Sequence, residues 1–270
     1  MKSKLRSSVI AALAVSAALL VGGTPSRASA GDPVPAATPQ SSKTSVVLVH
    51  GAFADGSSWS KIIPALQSKG VDVVAVQNPL TSLADDVASV KRVLDAQASP
   101  VVLVGHSWGG TVITEAGNHA RVAALVYVAA FAPSAGQSTS ETGKGYPTPP
   151  GIAKLLPYAD GFVRLPVEAV AKDFAQDLPP AEVNLIAVTQ GPIRGANFDE
   201  KVTTAAWASK PSFYIVATRD RMIDPAHQAA MAKKIKATVR ELPTSHVPMA
   251  SRPGEVTETI LAAVERASRR

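Results

Sequence analysis

Hydrophobic positions divide most of the chain into short apolar runs that alternate with stretches of helical spacing. Ser45-Val46-Val47-Leu48-Val49-His50, Val71 to Val76, Val101-Val102-Leu103-Val104 and Ala123 to Ala130 are continuous and rich in β-branched residues. Such runs belong to strands buried on both faces. Between them, Trp59, Ile62, Ile63 and Leu66 fall on one helical face, as do Val87, Val90 and Leu94, then Val112, Ile113 and Ala116. Ser57 or Ser58 is placed to cap the first of these helices. The rhythm returns late, with a strand at 212–217, a helix over about 225–235, a strand at 238–242 and a closing helix carrying Val256, Ile260, Ala263 and Val264. Strand and helix in strict alternation predict an α/β fold, a mostly parallel sheet with right-handed crossovers and helices on both faces.

One stretch breaks the rhythm. From Ser134 to about Ala206 the chain is dense in Pro and Gly, with apolar helical pieces around 167–174 and 181–188. A connection of that length is usually a functional insertion. It predicts a helical lid, placed after the fourth strand, within a domain covering 45–270.

The first residues stand apart from the core. Lys2, Lys4 and Arg6 form a basic leader, Val9 to Val21 an apolar run, and Ala28-Ser29-Ala30 a small-residue cleavage site. Together they predict a signal peptide over 1–30, secretion or export to a periplasm, and no stable membrane insertion once it is cut; an uncleaved anchor is the alternative. Residues 31–44, rich in Pro, Ala, Ser and Thr, predict a flexible linker. Removing Lys2, Lys4, Arg6 and Arg27 takes away four of the positive charges and lowers the formal net charge from +6 to +2. The basic balance therefore belongs to the leader, and no Lys/Arg stripe with interleaved aromatics remains to bind nucleic acid. Cysteine is absent, which excludes disulfides and thiolate metal sites. No metal cluster and no phosphate-cradling loop is visible, so the reading carries no cofactor.

Candidate chemistry centres on Gly105-His106-Ser107-Trp108-Gly109-Gly110, which follows a buried strand and opens a helix. Gly-x-Ser-x-Gly in that context is a nucleophile elbow, a turn so sharp that flanking side chains would collide with neighbouring backbone. A serine hydroxyl needs a base to take its proton. Of the five histidines, His50 is placed to hold its loop, His106 to point away across the elbow, His119 to end the elbow helix and His227 to lie on a superficial helix. His246 alone follows a late strand on the edge where Ser107 sits. The base needs a carboxylate partner. Asp220 ends a strand at its carboxyl end, whereas Asp224 stands before Pro225 as a helix cap.

Chain order Ser107, Asp220, His246, together with Val49-His50-Gly51-Ala52-Phe53-Ala54-Asp55-Gly56-Ser57-Ser58-Trp59, Thr218-Arg219-Asp220 and Ser245-His246, resembles the α/β-hydrolases. The branch is that of small esterases, similar to plant methylesterases and hydroxynitrile lyases. The resemblance implies a catalytic triad, an oxyanion hole from the amides of Trp108 and Ala52 (Phe53 in reserve), and a small-molecule ester as substrate. Phe53, Trp59, Tyr127, Phe131, Phe162, Phe174, Phe198 and Trp207 are aromatic candidates for the pocket, with Phe53, Phe131 and Trp207 foremost; Trp108 is a candidate for pocket or core. Two other functions stand beside ester hydrolysis. Cyanohydrin cleavage is one, although the related lyases carry a threonine where this chain has Gly51 and a lysine where it has Val247. A non-catalytic ligand receptor on the same fold is the other.

Overall fold

The continuous hydrophobic runs pair with one another as strands of a single sheet. In the computed structural model, which describes residues 44–269, β1 (Ser45–Val49), α1 (Ile62–Gln67), β2 (Val73–Val76), α2 (Leu83–Asp95), β3 (Val101–His106), α3 (Trp108–Ala116) and β4 (Val122–Val128) follow in alternation. The segment from 134 to 206 holds α4 (Thr139–Thr142), β5 (Leu156–Pro157), β6 (Phe162–Arg164), α5 (Val167–Ala169), α6 (Pro180–Thr189) and β7 (Ile193–Arg194). Then come β8 (Ser212–Ala217), α7 (Pro225–Lys234), β9 (Thr238–Leu242), α8 (Pro248–Ser251) and α9 (Pro253–Ser268). The signal-peptide segment and most of the linker predicted for the N-terminus lie outside the described residues.

Six strands form one sheet in the order β2-β1-β3-β4-β8-β9, every pair parallel. β1, β3 and β8 are buried at every position and β4 at all but Ala123, as unbroken apolar sequence requires. The outer strands β2 and β9 are partly exposed. Tyr127 and Tyr214 stack across β4 and β8 with ring centroids 5.9 Å apart. α2 is the model amphipathic helix, turning Leu83, Val87, Val90 and Leu94 to the core, with the Ser82 side chain accepting the Asp85 N–H at its start.

Parallel pairing sends all carboxyl ends of the strands to one edge, and the order 2-1-3 reverses direction between β1 and β3. Ligands of open α/β sheets settle at such a reversal.

Two local expectations differ from the structure. Asp55, not Ser57 or Ser58, caps the turn after β1, its carboxylate accepting the Ser57 N–H at 2.6 Å. The insertion is also not purely helical: β5, β6 and β7 make a small antiparallel sheet. Strands of two or three residues carry no readable alternation, so the sequence offered no period to detect.

Candidate active site

Ser107 sits between β3 and α3 with φ 52° and ψ −120°. A non-glycine residue held there stores about 1–3 kcal/mol of strain, tolerated because the surroundings overdetermine it. Those surroundings explain both flanking glycines. A Cβ on Gly105 would lie 2.5 Å from the Gly109 carbonyl oxygen, and one on Gly109 would lie 2.6 Å from that of Val49. Strand, turn and helix therefore pack with no space for side chains at the elbow. Ser107 is held further by its own N–H donating to Val128 and by its carbonyl accepting from Gly110 and Phe131.

Asp220 and His246 meet in the interior. His246 Nδ1 lies 2.6 Å from Asp220 Oδ2, and both side chains are buried. The carboxylate has three further donors: the N–H groups of Met222 and Ile223 to Oδ1, at 2.7 and 3.0 Å, and Gln228 Nε2 to Oδ2 at 2.7 Å. A buried carboxylate so surrounded is fixed in position and has its charge compensated. Asp224 plays the capping part expected of it, accepting the Ala226 and His227 N–H groups at the start of α7. Gln228, which sequence reasoning did not single out, also donates to the Ile223 carbonyl and accepts the Ala217 N–H. It stands in the first turn of α7, and no local pattern marked it in advance.

Ser107 and His246 line one cavity of about 310 Å³, with Ala52, Phe53 and Phe131 in its wall. The loop after β1 abuts the serine, since a Cβ on Gly51 would stand 2.7 Å from that of Ser107. Trp108 is the first residue of α3, so its N–H belongs to the positive end of the helix and needs no intrahelical acceptor. Its indole is not in the cavity wall: fully buried, it donates Nε1 to Asp86 Oδ2 at 2.7 Å. Burial pushes the Asp86 carboxyl up to about 6 against the pull of its Trp108 and Leu80 donors.

The histidines divide partly as expected. His50 holds its loop, Nδ1 lying 2.8 Å from the Gly51 carbonyl and Nε2 accepting the Asn78 N–H at 2.9 Å; burial lowers its pKa. His119 pairs with Asp95 at 3.0 Å near the surface. His106 is absent from the wall of the cavity that Ser107 lines and meets the His246 loop instead. Its ring centroid lies 4.8 Å from that of His246, and its Nε2 is 2.8 Å from the His246 carbonyl oxygen. Burial, with His246 beside it, holds His106 well below the ordinary imidazole range, so it is a neutral donor there. His227 is not superficial; it is 5% exposed and lines the cavity. It lies on the one buried face of a half-exposed helix, with Tyr146 of the insertion stacked on its ring.

Of the aromatic candidates, Phe53, Phe131 and Phe198 line the cavity. Trp207 does not: its indole donates to the Pro133 carbonyl at 2.8 Å and Lys234 lies over its ring. Trp59 and Tyr127 are core residues, and Phe174 packs against the His246 ring at 5.1 Å. The rest of the wall comes from the insertion, including Tyr146, Ile152 and Leu155.

A parallel sheet whose carboxyl edge gathers a serine elbow, an Asp–His pair and a covered apolar cavity defines a class of protein. This chain belongs to the alpha/beta hydrolase family, whose family model matches residues 46–259. It is 30% identical over 251 residues to a pyrethroid hydrolase of Sphingobium wenxiniae, covering 80% of this chain and 86% of that protein. It is 27% identical over 256 residues to Methylesterase 2 of Arabidopsis thaliana, covering 82% and 95%. Among solved structures, a pyrethroid hydrolase from Sphingobium faniae JZ-2 superposes with a TM-score of 0.72 at 22% identity, covering 84% of this chain and 100% of that one. That likeness is one of fold.

Proposed function

We propose that the protein is an exported serine carboxylesterase acting on small to medium lipophilic esters. Ser107 attacks the carbonyl carbon, its proton passing to His246 Nε2, while Asp220 holds the ring through Nδ1 and stabilises the imidazolium. The oxyanion that forms is received by the N–H groups of Trp108 and Ala52, a contribution of about 2.7–4 kcal/mol to the barrier for each donor. The protonated His246 then gives its proton to the departing alcohol, leaving an acyl group on Ser107. Water, deprotonated by the same imidazole, releases the acid and restores the serine.

The observation that carries this reading is the buried Asp220–His246 pair at 2.6 Å opening on the same apolar cavity as the strained Ser107. Relatives named as a pyrethroid hydrolase and a methylesterase support ester cleavage. The basic leader, apolar run and Ala28-Ser29-Ala30 support export with cleavage after Ala30. Val247 after His246 and Gly51 after His50 speak against the lyase pattern.

A panel of p-nitrophenyl esters of increasing acyl length, run beside labelling with a fluorophosphonate, tests the proposal. Hydrolysis should favour neutral esters of modest size, and mass spectrometry should place one phosphonyl group on the peptide containing Ser107. Labelling elsewhere, or no turnover of any ester by folded protein, would overturn it.

A further inference from the structure

The cavity contains a second polar group that ester cleavage does not use. His227 is on the first turn of α7, 5% exposed, and lines the cavity beside Ser107. Nε2 is wholly buried and without a partner. Buried polar atoms are nearly always satisfied, and with Nε2 closed off from any water-sized atom the ring nitrogen left to meet a ligand in the cavity is Nδ1. Its ring is held rigidly. Tyr146 stacks on it with centroids 4.5 Å apart and planes 22° off parallel, and Phe131 lies against it at 6.2 Å. Phe131 ties this imidazole to the elbow, because its N–H donates to the Ser107 carbonyl at 3.2 Å.

We infer that His227 is a specificity residue: its imidazole hydrogen-bonds a second, neutral oxygen of the ester substrate, on the acyl or the alcohol arm, between the aromatic walls formed by Tyr146 and Phe131. The inference rests on the esterase reading above and names the class of ester: one with a keto, ether or second ester oxygen. Neutrality follows from the surroundings. Burial, aided by Lys234, lowers the His227 pKa to about 4, so the ring offers no cation to an acid. The carboxylate-bearing Asp224 lines the same cavity and disfavours a substrate carboxylate.

The test compares p-nitrophenyl esters of plain fatty acids with matched esters carrying a ketone at carbon 3, 4, 5 or 6. A second series compares butyrates of plain alcohols with butyrates of hydroxyketones. One or more oxygenated esters should exceed its plain counterpart in kcat/KM by about tenfold, the range of one net neutral hydrogen bond. His227→Phe, checked for folding by its thermal transition, should bring that ratio close to one, and His227→Gln should restore part of it. The p-nitrophenyl monoester of glutaric acid should be poorer than the ester of 5-oxohexanoic acid. A ratio near one in both series, a preference that survives His227→Phe, or preference for the carboxylate would overturn the assignment. A readout free of both turnover and the His227 variants is the imidazole resonance of His227 in Ser107→Ala protein, which should shift on titration with the preferred oxo-esters. If wild-type protein cleaves esters and that resonance stays still, the subsite falls alone; if it cleaves none and the resonance moves, the esterase reading falls alone.

Discussion

Strand β3 and helix α6 are both apolar along most of their length, yet β3 is buried at all six positions and α6 at one, Val183. Leu185 and Val188 stand 59% and 78% exposed on α6. β3 lies between two strands and under helices on both faces, so each of its side chains is satisfied by another apolar one. The insertion has no such sandwich and is tied down by polar contacts at its base. Asp173, buried, binds Lys154 at 2.6 Å and Arg221 at 2.7 Å. Gln176 donates to the Arg219 carbonyl, and Asp177 accepts the Ser245 N–H at 2.8 Å. These ties grip the loops bearing Asp220 and His246. The sheet therefore fixes where Ser107, Asp220 and His246 stand, and the insertion walls the cavity beside them while bracing the loops that bear two of them.

That division predicts that changes in the sheet-edge groups cost chemistry and changes in the insertion cost local order. The largest effect separates two aspartates four residues apart. Asp220→Asn should lower kcat for ester hydrolysis by about 10⁴-fold, by analogy with other triads, and Asp224→Asn by only a few-fold. Reversed sensitivities would move the acid to Asp224.

Asp86 sharpens the comparison at the junction, since it accepts both the Trp108 indole N–H and, at 2.8 Å, the N–H of Leu80. Leu80 in turn gives its carbonyl to Arg194 and Asn197 of the insertion. With burial raising its pKa from 3.8 to about 6, the contribution of Asp86 to folding is fully present below about pH 4 and lost as pH rises through 6. That loss amounts to about 3 kcal/mol. Asp86→Asn, which has no charge to lose, should gain on the wild type by about that amount between pH 4 and pH 7 in urea unfolding. An unchanged gap between the two would show that Asp86 keeps an ordinary pKa.

The smallest effect concerns the base of the insertion. Asp173→Ala should lower stability by about 1–3 kcal/mol, since its cationic partners are half-exposed and recover solvation. Hydrogen exchange should quicken in residues 151–178 with β3 and β4 unchanged. Equal loss of protection in the sheet would erase the distinction between the two regions.

The same contrast explains what could be read in advance. The sheet was legible because β1, β3, β4 and β8 are buried on both faces, and burial on both faces writes itself as an unbroken apolar run. The elbow was legible because Gly105 and Gly109 are demanded by backbone contact, and Asp224 because a cap before proline is a local pattern. His227 was misjudged because its surroundings come from a distant segment, the insertion. Trp207 was misassigned for a similar reason: only the structure brings the Pro133 carbonyl to its indole. Short strands, polar ties and the aromatic stack on His227 depend on tertiary meetings that no periodicity records.

The most direct test is the rate of p-nitrophenyl butyrate hydrolysis by Ser107→Ala beside the wild type, with folding confirmed by the thermal transition. The variant should keep its fold and fall by at least about 10³-fold, leaving only what binding and the main-chain amides supply. Wild-type turnover in a folded Ser107→Ala protein would contradict it.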